Sequence, residues 1–122
     1  EIEEAIQGHS AIAEVAVVGV ADQLKGQMPM AFAVVKSVDS IATPELAAAL
    51  EKQVMKQVDD SLGAIARPSR VHFLTVLPKT RSGKLLRRSI QALAEGRDPG
   101  DLTTIEDPTA LEQLQRALGT KA

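Results

Sequence analysis

Leu46, Leu50, Val54, Val58 and Leu62 recur every four residues between the pair Thr43-Pro44 and Gly63. That spacing predicts one long amphipathic helix with its apolar stripe turned to a core. Its limits are marked chemically. A proline in the first turn loses no needed N–H, the threonine before it can cap, and glycine suits the stop. A helix of this kind needs an apolar surface to cover, and the chain supplies one in short β-branched runs. AEVAVVGV from Ala13 and AFAVVK from Ala31 predict two strands, read as an antiparallel pair joined through the polar stretch ADQLKGQMPM. RVHFLTVL, Arg70 to Leu77, predicts a third strand after an Arg67-Pro68 break, closed by Pro78, which cannot donate to a ladder.

Shorter helices complete the pattern. Ile2, Ala5 and Ile6 share a helical face, with Glu1, Glu3 and Glu4 suiting an N-terminal turn and Gly8 the end. Leu86, Ile90 and Leu93 predict another helix running to about Gly96. The composition then shifts: RDPGDLTTIEDP reads as an extended strap, and ALEQLQRAL returns to helical character. The expectation is α+β, a small three-stranded sheet with packed helices, organised as a domain over 1–95 and an extension over 96–122 made of a strap and a short helix.

Composition excludes several classes. The 122 residues suffice for one domain with a real core. No apolar run reaches the length of a membrane span. The absence of cysteine removes disulfides, thiolate nucleophiles and cysteine zinc sites, and fits a reducing, cytoplasmic setting. The aromatic residues are Phe32 and Phe73 alone, and the net charge is −2, a poor endowment for stacking bases or neutralising phosphates of nucleic acid. His9 and His72 have no companion at metal-ligand spacing, so no metal site is assigned.

One segment departs from this acidic balance. Lys79, Arg81, Lys84, Arg87 and Arg88 fall within ten residues with no acid among them. A cationic loop with Ser82-Gly83 at its tip, followed by a helix start, suits an anion such as phosphate; a solvated charged turn is the equal alternative. A P-loop is ruled out, because Pro78 stands where its first glycine belongs and Leu85 where its hydroxyl residue belongs.

The stretch LPKTRSGKLLRR, Leu77 to Arg88, resembles the last signature motif of the adenylate-forming family, which includes acyl-CoA synthetases, luciferases and peptide-synthetase adenylation domains. EIEEAI, EVAVVGVADQLKGQ and the strand before Pro78 resemble the rest of that family's C-terminal domain, in order. GRDPGDLTTIEDP, from Gly96, is similar to the propionate-CoA ligase branch rather than the acetate branch. The resemblance implies a C-terminal lid that rotates against a nucleotide-binding domain of the same chain. It implies a two-step ligation in which carboxylate and ATP, with Mg2+, give an acyl-adenylate that coenzyme A converts to a thioester.

By the same resemblance Lys84 matches the adenylation lysine, with Arg81 and Gly83 supporting the nucleotide-contacting loop. Arg81, Arg87 and Arg88 could each hold the loop, meet the other domain or face solvent. Such a lysine is also a target of reversible acylation, which implies a protein lysine acyltransferase and deacylase as partners. The family's hinge and the loop beside its thioester-forming site lie upstream of Glu1. The arginine that meets coenzyme A phosphate in acetyl-CoA synthetases aligns with Asp59, so no coenzyme A residue is carried over. The loop from Asp22 to Gln27 also follows the family pattern, and equally suits a plain hairpin connection. The alternatives to a propionate enzyme are an acetyl-CoA synthetase lid and a stand-alone module that binds phosphate or a partner through the basic loop.

Overall fold

A computed structural model of the chain describes residues 2–22, 26–63, 68, 70–98, 100 and 105–118. The centre of the loop read over Asp22–Gln27, Arg67 of the Arg67-Pro68 break, and much of the strap lie outside these residues.

The β-branched runs form the expected antiparallel pair, β1 (Ile12–Asp22) and β2 (Gly26–Val35), in a register that sets Val17 opposite Ala31 and Asp22 opposite Gly26. Both strands run further than their apolar cores, and β2 takes in the Met28-Pro29-Met30 stretch expected to be loop. Proline is tolerated there for a geometric reason. Ala31 N–H donates toward the third strand, to Arg70 O at 2.9 Å. Pro29, two residues earlier, faces the same side, but beyond the first residue of that strand, where no ladder bond is required.

β3 is shorter than expected, Val71–Leu74, and pairs parallel to β2, giving the order β1-β2-β3. It stops because the Thr75 N–H leaves the sheet direction for Gln113 Oε1, 2.8 Å away. The parallel return is made by α2 (Pro44–Leu62), as a crossover requires. Thr43 Oγ1 caps α2 by accepting from Leu46 N–H at 3.2 Å, and Gly63 ends it at φ 92°. The remaining helices are α1 (Ile2–Gln7), α3 (Arg87–Ala94) and α4 (Thr109–Ala117).

The period-2 alternation of the strands divides the core in two. Val15, Ala31, Ala33, Val35 and Val71 face α1 and α2, meeting Ile6, Leu50, Val54 and Val58. Ala16, Val18, Phe32, Val34 and Leu74 face the other way, onto Ile90 and Leu93 of α3 and Leu114 of α4. Ile12 has the wrong parity for the first group yet belongs to it. The register shift between Ile12 and Glu14 inserts one extra residue in β1 and turns Ile12 to the other face.

The α2 stripe is shorter than its sequence pattern. Leu50, Val54 and Val58 are buried, whereas Leu46 is 47% and Leu62 38% exposed. A strict four-residue repeat advances about 40° per step on a helix of 3.6 residues per turn. Its ends therefore lie roughly 160° apart, and only the middle can face the sheet.

Candidate functional site

The basic segment folds as a small hairpin. Buried Leu77 and Pro78 lead into it, Lys79 bridges Leu85, Thr80 N–H donates to Lys84 O at 2.8 Å, and Gly83 N–H donates to Thr80 O at 2.8 Å. The turn requires φ 90° at Gly83, and a Cβ there would meet nothing within 4 Å, so the demand for glycine is conformational rather than steric. Thr80 Oγ1 also accepts from Lys84 N–H at 3.1 Å and lies 2.9 Å from Ser82 Oγ. A β-branched residue with a hydroxyl thus fits both the paired backbone and the tip.

Three attachments hold the hairpin to the body. Lys79 Nζ is ion-paired with Glu14 of β1. Leu86 N–H donates to Pro78 O at 3.0 Å where α3 begins. On the remaining side Thr80 bridges Ile105, and Glu106 N–H donates to Lys79 O at 2.9 Å. Residues 81–84 beyond these attachments are all exposed, and Thr80, Arg81, Ser82 and Lys84 line an open hollow.

The five cations divide by role. Lys79 is neutralised by Glu14, and Arg87 grips Glu3 through two nitrogens, 2.6 and 3.1 Å from the two carboxylate oxygens. Arg87 also donates to Val17 O at 3.2 Å, and Glu3 accepts from Val17 N–H at 2.8 Å, so this pair joins α1, β1 and α3. Hydrogen bonding to Arg87 draws the Glu3 carboxyl below its ordinary pKa, and hydrogen bonding to Glu3 raises that of Arg87. Among the described residues Arg81, Lys84 and Arg88 have no acidic partner. Two of the five cations therefore brace the fold, and three are open to an external anion.

Arg81, Gly83 and Lys84, singled out from the sequence, sit together on the hairpin tip. Asp59 lies in the last turn of α2, on the opposite face of the sheet from α3. His9 accepts at Nδ1 from Ala11 N–H (3.1 Å), so the other ring nitrogen carries the proton and meets Gln53 Oε1 at 3.0 Å. His72 is buried, stacked on Phe32 with ring centroids 5.3 Å apart. Glu3, Glu14, Ile105 and Glu106 escaped the sequence reading as supports of the site. They are distant in sequence and carry no motif; only the isolated basic block hinted that acids elsewhere must meet it.

Fold and hairpin together define a class: a one-sheet α+β domain with two cations, Arg81 and Lys84, on a short, anchored hairpin and a third, Arg88, at the start of α3, none with an acidic partner among the described residues. A family model described as "AMP-binding enzyme C-terminal domain" matches residues 1–84, ending on Lys84. The chain is 55% identical to propionate-CoA ligase of Escherichia coli strain K12 over 118 residues, 97% of this chain and 19% of the relative. It is 45% identical to acetyl-coenzyme A synthetase of Pyrobaculum arsenaticum over 117 residues, 96% of this chain and 17% of the relative. A crystal structure of an acyl-CoA synthetase of Brucella canis superposes with a TM-score of 0.57 at 37% identity, covering 69% of this chain and 15% of that one.

The chain belongs to the AMP-binding enzyme C-terminal domain family. It spans about a fifth of the length of the curated relatives it matches. No helix among the described residues is long and apolar enough to cross a membrane.

Proposed function

We propose that this chain is the mobile C-terminal domain of a short-chain acyl-CoA synthetase, a cytoplasmic acid-CoA ligase acting on propionate, and that Lys84 is its adenylation lysine. The observation that carries the reading is Lys84 itself: an exposed cation with no acidic partner among the described residues, on a hairpin whose base is fixed, in a chain 55% identical to a propionate-CoA ligase.

In the first step a propionate oxygen attacks the α-phosphorus of ATP, the bond from that phosphorus to the bridging oxygen breaks, and pyrophosphate leaves. Charge builds on the α-phosphoryl oxygens, and a preorganised ammonium beside them stabilises it without transferring a proton. Mg2+ would neutralise the ATP phosphates. Lysine suits this duty as a compact charge on a flexible stem. Arg81 lines the same hollow and Gly83 shapes the turn that presents Lys84. In the second step the sulfur of coenzyme A attacks the acyl carbon and AMP departs. This step draws on the larger domain and not on Lys84, which withdraws as the lid rotates. The 122 residues alone are expected to form no thioester.

Acylation of Lys84 by a protein lysine acyltransferase would remove its charge and stop adenylation, and a deacylase would restore it. The test of the reading separates the two half-reactions in the full-length enzyme carrying Lys84→Ala. Adenylate formation from propionate and ATP is expected to fall about a hundred- to thousandfold, while thioester formation from supplied propionyl-adenylate and coenzyme A is retained. Unchanged adenylation would remove Lys84 from the chemistry.

A further inference from the structure

The proposed function needs Lys84 but leaves open what aims it. The hairpin tip is exposed and makes bonds within itself, so its direction relative to the sheet is fixed at its base. Two of the three basal attachments come from neighbouring sequence or from a side-chain ion pair between partly exposed groups, at Leu86 and at Lys79. The third comes from residues 105–106, more than twenty positions downstream, and is made by backbone.

Thr80 pairs with Ile105 as an antiparallel bridge, and Glu106 N–H donates to Lys79 O at 2.9 Å. Ile105 is itself buried, 8% exposed. Directly after it Asp107 accepts from both Thr109 N–H (3.0 Å) and Thr109 Oγ1 (2.6 Å) at the start of α4. α4 is in turn seated on the sheet by fully buried Leu114, and Ala110 in its first turn is fully buried too. Gln113 closes the connection by bonding both the N–H and the hydroxyl of Thr75, at 2.8 and 2.7 Å. A continuous chain of packed and hydrogen-bonded groups thus runs from the end of β3 through α4 to the base of the hairpin. The family model stops at Lys84, before any part of this clamp.

We infer that the segment Ile105–Glu106, docked by α4, positions the Lys84 hairpin for adenylation. It adds a third paired strand segment to the two hairpin arms and so fixes the angle at which the tip leaves the body. The side chain of Glu106 is exposed, and the contribution lies in its N–H. Lys84 carries the charge, and this segment acts only through it. The inference rests on the adenylation role given to Lys84.

The test uses the full-length enzyme and three variants. Glu106→Pro deletes the N–H that reaches Lys79 O, and proline is compatible with the extended residue before it. Glu106→Ala restores the N–H without the carboxylate. Lys84→Ala is the reference. Misplacing a catalytic group by about an ångström costs up to a hundredfold, so Glu106→Pro is expected to slow propionyl-adenylate formation about ten- to a hundredfold. Thioester formation from supplied adenylate should stay at the parent rate, and Glu106→Ala should recover adenylation.

Hydrogen exchange of the peptide spanning residues 79–86 should quicken in Glu106→Pro and not in Glu106→Ala. If Glu106→Pro does not accumulate folded, Ile105→Ala, which keeps the N–H and loosens its anchor, must show the same split between half-reactions. Parent-rate adenylation in Glu106→Pro, or equal loss of both half-reactions in the variant used, overturns the inference. If Lys84→Ala is impaired and Glu106→Pro is not, only the clamp fails; if Lys84→Ala adenylates normally, the proposed function fails with it.

Discussion

Arg87 and Glu3, 84 residues apart, meet through two hydrogen bonds of 2.6 and 3.1 Å, and the same carboxylate accepts from Val17 N–H at 2.8 Å. The side chains are 49% and 33% exposed, so solvent screens the ion pair, and a double-mutant cycle should return a coupling under about 1 kcal/mol. Glu3→Ala strips the Val17 N–H of its acceptor at 2.8 Å, whereas Arg87→Ala strips Val17 O of a donor at the longer 3.2 Å, so Glu3→Ala should cost more, by under about 1 kcal/mol. With no Trp or Tyr in the chain, urea unfolding is followed by far-ultraviolet circular dichroism. Equal costs would show that the two bonds to the Val17 backbone contribute alike.

Two groups give the acid limb of stability separate windows. Burial, then the charge of Arg70, lowers the pKa of His72 from 6.5, with Glu51 opposing. Above 6.5 both folded and unfolded states hold it neutral. As pH falls below 6.5 the unfolded state takes up the proton first, so stability declines until the folded pKa is passed. Glu3 is lowered from 4.5; its contribution is complete above that value and is lost as pH falls through the lower folded pKa. Between pH 6.5 and 5 the decline should therefore flatten in His72→Leu, and an unchanged slope would assign it to other groups.

Gly83 adopts φ 90° with open space where a Cβ would stand. Gly83→Ala should cost about 1 kcal/mol of conformational energy. In the full-length enzyme it should depress adenylation more than thermal stability, since the strain relaxes by reshaping the tip that presents Lys84. Normal adenylation in this variant would mean that the turn geometry is irrelevant to the chemistry.

Leu114 is fully buried and Leu46 is 47% exposed, although both sit in apolar helical patterns. Leu114→Ala should destabilise by about 2–5 kcal/mol, and Leu46→Ala by under about 0.5 kcal/mol. Chemical denaturation of the two variants side by side tests both the docking of α4 and the drift of the α2 stripe.

Local chemistry was legible in the sequence wherever its cause was local. The Thr43-Pro44 start and Gly63 stop of α2 are set by groups within four residues, and both hold in the structure. The strands β1 and β2 follow from their β-branched, apolar runs, and their antiparallel pairing holds. The extent of β2 was not legible, because Met28-Pro29-Met30 lacks strand character and Pro29 is tolerated only through the short reach of β3. The third strand was overextended to Leu77, since nothing near Thr75 announces that Gln113 will take its N–H.

The basic segment stood out as a charge anomaly, and its motif pointed to Arg81, Gly83 and Lys84, which the structure brings together on one hairpin tip. The division of its cations into braced and free did not. Charge alone cannot reveal that Arg87 answers Glu3 while Arg88 answers no described acid; that depends on α1 and α3 meeting the same stretch of β1. The strap likewise concealed Ile105, an isolated apolar residue amid polar residues and turn formers.

The two-sided sheet imposes an order on the nascent chain. Everything that covers the Val15 and Ala31 face precedes β3, whereas the Phe32 face is closed by helices that begin only at Arg87 and Thr109. At about 5–20 residues per second, the ribosome needs on the order of several seconds to pass from Leu74 to Leu114. Within that interval Ala16, Val18, Phe32 and Val34 form an apolar sheet face that α3 covers first and α4 completes. Until α4 arrives, the half-made domain carries exposed apolar surface of the kind that promotes aggregation.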